Sequence, residues 1–260
     1  MANSYPRIMT RFAVIIGLFF LSSCSLNEQG LLAGQSVAGG QDASGGAGTA
    51  SGGGGAGTAS GGGGAGGQSP PCHPAGLEDD FGGAAVDTTI WNTQGKQSIM
   101  SVAGGQLRVI PVENVNDGQW VGLVTSAGYD LSGCAVWIEA SRLVKGGAEG
   151  QTYFQLYTPN GASSISVSKG EVKSSISDNN MVVAEASIPY VASQHRWWRI
   201  REDGGQLHLE TSPDFVVWTT LVHSPIPSYI ANTKVGLGVI SPENATNLGE
   251  AQLDNFNVVP

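Results

Sequence analysis

Charge is scarce in this 260-residue sequence: Lys, Arg, Asp and Glu make up 13% of it, and the acidic residues outnumber the basic ones 21 to 12. The basic residues are dispersed apart from Arg196, Arg199 and Arg201. A polyanion would have to be held without a basic stripe, which argues against nucleic acid as a partner. No window carries the 3.6-residue apolar periodicity of an amphipathic helix. There is no G-x-S-x-G, and His195, His208 and His223 are scattered without the spacing of zinc ligands or of a base beside a nucleophile. The glycine-rich stretches do not lie between a strand and a helix, so they are not phosphate loops. Long apolar runs are also missing. The run "FAVIIGLFFL" has only about ten residues, too short to cross a bilayer as a helix.

That short run follows Arg7 and Arg11, so residues 1–23 have the build of a secretory signal, and its removal leaves the mature chain more acidic still. The letters that close it, "LSSC", resemble the lipobox of bacterial lipoproteins. The resemblance implies that Cys24 is acylated and becomes the new N-terminus, anchoring the protein to a membrane of the bacterial cell envelope. Leu26 stands where aspartate is the usual inner-membrane retention residue of such lipoproteins, which points to the outer membrane.

Residues 24–71 form a linker. From Gln35 to Ser69 it is almost only Gly, Ala, Ser and Thr, with the unit "ASGGGGAGT" followed by "ASGGGGAGG" and preceded by a shortened "ASGGAGT". Glycine loses the most backbone entropy on ordering and this composition offers nothing apolar to bury in return, so a disordered tether is expected. Its r.m.s. reach as a random coil is on the order of 35 to 40 Å. "PPCHP" stiffens the chain where the domain begins.

Residues 72–260 have the length of one domain and a period of two. In "CAVWIEASRLV", Val136, Ile138 and Ala140 alternate with Trp137, Glu139 and Ser141, and in "TYFQLYTPNG" Phe154 and Leu156 alternate with Tyr153, Gln155 and Tyr157. "GQLRVIPV", "MVVAEASI", "KVGLGVI" and "AQLDNFNVV" are similar short runs, separated by turn signals such as "PNG", "DNN" and "DGG". The pattern predicts an all-β fold, an antiparallel β-sandwich of two sheets. The exported part retains two cysteines, Cys72 and Cys134. In an oxidising compartment they are expected to pair, closing a loop that stabilises by about 4 kcal/mol on chain-entropy grounds; two unrelated buried thiols are the alternative.

"LEDDFGG", "AGGQLRVIP", "YDLSGCAVWIEA", "HRWWRIREDGGQLHLETSPDFVVW" and "AQLDNFNVV" together resemble the concanavalin A-like jelly-roll superfamily of laminin G domains and glucanases, in a form found in bacterial surface lipoproteins. The resemblance spans Leu77 to Val259 and implies that the first and last strands are neighbours. The hairpin pattern S-P-D-G-x-x-W reads here Ser212, Pro213, Asp214, then Phe215 where glycine is usual, then Trp218. A side chain at positive φ is sterically penalised, so a different turn type is expected.

Glucanases of this superfamily carry E-x-D-x-x-E on one strand. Glu78 and Asp80 match its first half but Gly83 replaces the second glutamate, and Glu139 has no partner carboxylate among its same-face neighbours. The chain is therefore expected to be no enzyme. No cofactor is expected except a structural Ca2+ held by Asp79, Asp80 and Asp254 where the terminal strands meet, for which strand-end polar residues are the simpler explanation.

Alternation places Trp198 and Ile200 in the core and Trp197, Arg199 and Arg201 on the other face. If the strands of Trp137, Tyr153 and Trp197 share a sheet, then Trp137, Glu139, Tyr153, Gln155, Tyr157, Trp197 and Arg199 all face outward together. That combination sets flat rings for sugar C–H faces beside groups that hydrogen-bond hydroxyls. The expected function is a non-catalytic surface lipoprotein that presents a glycan-recognition or adhesion β-sandwich on a tether, with polysaccharide and membrane as partners. A structural or protein-interaction module without sugar affinity and an unusual glycoside hydrolase are the alternatives.

Overall fold

The computed structural model describes residues 72–95, 100–115, 118–145 and 150–260. The signal 1–23, the lipidation site Cys24 and the linker 24–71 lie outside the described residues. All described residues belong to one compact unit. Its strands are β1 (Trp91–Gln94), β2 (Met100–Val102), β3 (Leu107–Val109), β4 (Gln119–Thr125), β5 (Ala135–Arg142), β6 (Gln151–Thr158) and β7 (Gly161–Ser168). They continue as β8 (Glu171–Asp178), β9 (Met181–Pro189), β10 (Trp197–Asp203), β11 (Gln206–Ser212), β12 (Thr219–Pro225), β13 (Lys234–Ser241) and β14 (Ala251–Asp254). No α-helix occurs among the described residues.

The strands make two seven-stranded antiparallel sheets. The first runs β1-β4-β13-β6-β7-β8-β9 and the second β12-β11-β10-β5-β14-β3-β2. Local chemistry explains the meander β6 to β9 and the hairpin β10–β11. Their tight turns include Lys169–Gly170, Asn179–Asn180 and Gly204–Gly205, each with positive φ at both central residues. Two-residue hairpin loops favour this conformation because it matches the twist of the flanking strands, and asparagine and glycine tolerate it best.

The inward residues of both sheets form one core, in which Trp91, Phe154, Trp198, Ile138, Leu237 and Phe256 are all at most 1% exposed. Trp91 and Phe256 pack edge to face at 4.9 Å, joining the beginning of the domain to its end. Asp79 and Phe256 exchange backbone hydrogen bonds of 2.9 Å each way, so the terminal segments are neighbours, as the resemblance implied. Cys72 and Cys134 form a disulfide with a Cα–Cα distance of 4.8 Å, within the usual span of such bridges. Beside it the Ala135 N–H donates to the Cys72 carbonyl, so the segment entering the domain is tied to β5 twice.

Candidate functional site

The seven residues expected on one outward face are divided between two. β5 and β10 are neighbours in the second sheet, with Trp197 opposite Glu139 and Arg199 opposite Trp137, whereas β6 with Tyr153, Gln155 and Tyr157 belongs to the first. Alternation placed every one of these side chains correctly relative to its own strand. It could not tell which strands share a sheet, and the two outward faces point away from each other across the core.

Over Trp137 and Trp197 the second sheet's outward face is covered. The segment from Pro213 to Trp218 folds back over it, setting the Phe215 ring 4.9 Å from that of Trp197 and 5.6 Å from that of Trp137. Trp218 stacks beneath the Arg199 guanidinium at 3.9 Å, and His73 meets Trp137 edge-on at 5.4 Å. The Trp137 indole N–H donates to the Val258 carbonyl at 3.1 Å. Trp137, Trp197 and Arg199 are in consequence 0%, 3% and 7% exposed, and they leave the candidate site. Glu139 is also engaged, accepting from Arg196 Nε at 2.7 Å and from Asn255 Nδ2 at 2.7 Å. Phe215 keeps the left-handed conformation of the glycine it replaces, at φ 66°, contrary to the expected change of turn type. Packing of its ring against three tryptophans offsets the strain, and the Asp214 carboxylate accepts the Val216 and Val217 N–H groups at 2.9 and 3.0 Å.

From Arg199, beneath the strap, an ion network runs out to the solvent. Arg199 donates to Glu210 at 2.7 Å, while Arg201 reaches Glu210 at 3.1 Å and Asp203 at 2.6 Å. Burial opposes the charge on Glu210, but the two guanidiniums outweigh it and hold the carboxyl below its ordinary value.

The first sheet's outward face has a different character. Across it Gln94, Gly122, Gly238, Tyr153, Ser166 and Lys173 lie opposite one another in turn, strand by strand. A second row holds Asn92, Val124, Gly236, Gln155, Ser164 and Ser175. Tyr157 sits beside Gln155 on the same strand, opposite Lys234, and is half-buried. Trp120 on β4 stacks on Tyr153 with centroids 5.5 Å apart and planes 27° apart. Trp120 was absent from the residues expected here, although Trp120, Gly122 and Val124 alternating with Val121, Leu123 and Thr125 is the signal that would have found it.

Tyr153 lies flat on the glycines: a Cβ on Gly122 or Gly238 would come within 2.6 or 2.7 Å of its hydroxyl. Tyr153 is itself buried, and its hydroxyl makes no hydrogen bond of normal geometry, Trp120 being the side chain that bears on it; burial, reinforced by Tyr157, pushes its pKa well up while Trp120 acts the other way. Buried polar groups in native proteins are nearly always paired, so an orphan of this kind calls for an explanation. The face therefore combines aromatic rings with amide, hydroxyl and ammonium groups.

The aspartates expected to hold calcium are not gathered into a ligand set. Asp79 turns toward the core, its oxygens accepting the Phe81 N–H at 2.8 Å and the Trp91 indole N–H at 2.9 Å. Asp80, next along the chain, points away and accepts the Gly82 N–H at 2.8 Å, and Asp254 accepts that of Asn255 at 2.7 Å. Among the described residues no group of three or more His, Cys, Asp or Glu side chains is arranged to hold a metal ion. Glu78, the other half of the partial glucanase pattern, pairs with His73.

No family model and no curated protein matches the sequence. Solved structures do. The laminarinase of Flavobacterium sp. UMI-01 superimposes with a TM-score of 0.50 at 10% identity, covering 69% of this chain and 96% of its own. A structure from work on endo-acting O-glycanases of human gut bacteria, which initiate mucin breakdown, gives 0.50 at 11%, covering 68% and 94%. A β-1,3-1,4-glucanase (lichenase) from a mouse hindgut metagenome gives 0.49 at 12%, covering 68% and 94%. The fold is a concanavalin A-like jelly roll. This corrects the expectation that the chain is no enzyme: hydrolases that act on glycans are built on the same sandwich. The incomplete E-x-D-x-x-E pattern is thus no ground for setting the chain apart from enzymes.

Proposed function

We propose that the outward face of the first sheet engages a polysaccharide, on a laminin G-like domain held at the bacterial cell envelope by a lipid on Cys24 and the glycine-rich tether. The observation that carries this reading is the register of Trp120 and Tyr157 with Gln155, Ser164 and Lys173 on one surface, where the buried Tyr153 backs the Trp120 ring. Flat rings stack on sugar C–H faces while amides and hydroxyls exchange hydrogen bonds with sugar hydroxyls. Seven strands at about 4.8 Å spacing make a surface roughly 29 Å across, wide enough for a chain of several sugar rings rather than a single one. The glycan-acting proteins that share the fold add support for this class of ligand.

The test is calorimetric titration of the protein with laminarin, mixed-linkage β-glucan and mucin O-glycans, with each mixture also assayed for released reducing ends. Saturable binding or cleavage of at least one, lost in Trp120→Ala and Tyr157→Ala while the melting transition persists, is the expected outcome. No interaction with any of the three, or one indifferent to both substitutions, would overturn the assignment. Mass spectrometry of the mature N-terminus should show an acylated cysteine at Cys24, and a free N-terminus elsewhere would remove the anchor.

A further inference from the structure

His208 and His223 lie directly opposite each other on β11 and β12, on the outward face of the second sheet and apart from the proposed glycan surface. Their rings are 5.6 Å apart and 28° from parallel. They differ from the protein's other two histidines. His73 pairs through its ring with Glu78, and the His195 ring accepts the Val191 N–H at 3.1 Å, whereas neither ring of the facing pair hydrogen-bonds to any described residue. Four imidazole nitrogens are thus left without protein partners on one small patch, with His223 exposed and His208 half-buried.

We propose that His208 and His223 form a two-histidine chelate for a divalent transition-metal ion of the Zn2+, Ni2+ or Cu2+ class, clamping the edge strand β12 to β11. Imidazole nitrogen suits these ions, whereas Ca2+ and Mg2+ prefer oxygen. The distance fits. With metal–nitrogen bonds of about 2.0–2.1 Å, two imidazoles on a tetrahedral ion have ring centres about 5 Å apart. The observed separation is within a side-chain rotation of that value, and water would complete the coordination.

The charges around the pair sum to zero, although Arg201, the charge that weighs most on His208, is positive. The groups facing it are Arg201, Asp203 and Glu210, and Arg201 is bound to both carboxylates. With Arg199 counted, two guanidiniums face two carboxylates, so the network is neutral. β12 is the strand in need of such a clamp. It is the outermost strand of its sheet, it pairs with β11 alone, and its register slips at Leu209/Glu210.

The experiment is titration of the metal-stripped full chain with Zn2+, Ni2+ and Cu2+ separately, comparing wild type with His208→Gln, His223→Gln and, as a control, His73→Gln. One equivalent should bind, with Cu2+ the tightest of the three, as the general affinity order for nitrogen ligands requires. Each substitution in the pair should weaken binding tenfold or more, and His73→Gln should leave it unchanged. A spectroscopic measurement on the wild type needs no variant: Zn2+ should shift the NMR ring signals of His208 and His223 together. Absence of saturable binding, wild-type affinity in both paired variants, loss in His73→Gln, or movement of only one ring would each overturn the chelate.

Discussion

The two outward faces of this sandwich are built by the same rule and end differently. Both arise from period-two alternation, and both set aromatic rings among polar groups. On the second sheet, Trp137 and Trp197 are sealed under the strap that carries Phe215 and Trp218, forming a small second core outside the main one. On the first, Trp120, Gln155 and Tyr157 keep part of their surface in solvent. The contrast teaches that an outward tryptophan is not yet a binding residue. What lies over it decides.

The comparison can be broken most forcefully at its charged centre. Glu210→Gln leaves Arg199 in a buried position without its counter-ion and should destabilise by about 3 to 5 kcal/mol in urea unfolding. A loss below about 1 kcal/mol would mean the strap opens readily and the sealed face is accessible. Reducing the Cys72–Cys134 bridge should lower stability by about 4 kcal/mol on loop-entropy grounds, read from the shift of the unfolding midpoint with and without reductant.

A pair of tryptophans compares the two faces directly. Trp197→Ala should cost about 3 to 5 kcal/mol, as a truncation inside a packed cluster. Trp120→Ala, at an open site, should cost about 1 kcal/mol while abolishing glycan engagement. Equal losses from the two would erase the distinction between the faces.

Acid gives a smaller and graded effect. Glu210 has its folded pKa below the ordinary value of 4.5, so its contribution is complete above that pH and is lost as pH falls through the folded pKa. His208 is depressed from 6.5, so the unfolded chain takes up a proton before the folded one does. Its contribution is complete above pH 6.5 and declines as pH falls from there toward the folded pKa. His195, depressed from 6.5 by burial, acts in the same direction, so the unfolding midpoint should show a first decline below pH 6.5 that His208→Gln lessens, and a second below pH 4.5 that remains.

The smallest expected change is the most pointed. Tyr153→Phe removes a buried hydroxyl that makes no hydrogen bond of normal geometry, so the free domain should be unchanged or more stable by up to about 1 kcal/mol. Destabilisation by more than about 1 kcal/mol would show that the hydroxyl is bonded within the free protein.

Much of this architecture is legible in the amino-acid sequence. Alternation within "CAVWIEASRLV" and "TYFQLYTPNG" assigns each side chain to the inner or outer side of its strand, and Val136, Ile138, Phe154 and Leu156 are all in the main core. "HRWWRIRE" likewise separates Trp198, in the core, from Trp197, outside it. The cysteine pair is readable because only two cysteines remain in the exported part, and the meeting of "DDF" with "DNF" is what the resemblance implied. The inner and outer assignments are local facts, since a strand turns successive side chains to opposite faces whatever it pairs with.

The rest depends on contacts distant in sequence. β6 pairs with β13, about eighty residues on, while β5 pairs with β10 and β14, and no local periodicity records those choices. The strap's closure over Trp137 required Phe215 to accept a left-handed backbone, which its side chain alone argues against and which only the three surrounding tryptophans make favourable. Sequence by itself determined the β-sandwich, the inner and outer sides of its strands and the disulfide. Tertiary structure decided which strands share a sheet and which outer face stays open, because strand pairing and loop closure are settled by the total surface buried and not by any short segment's own preference.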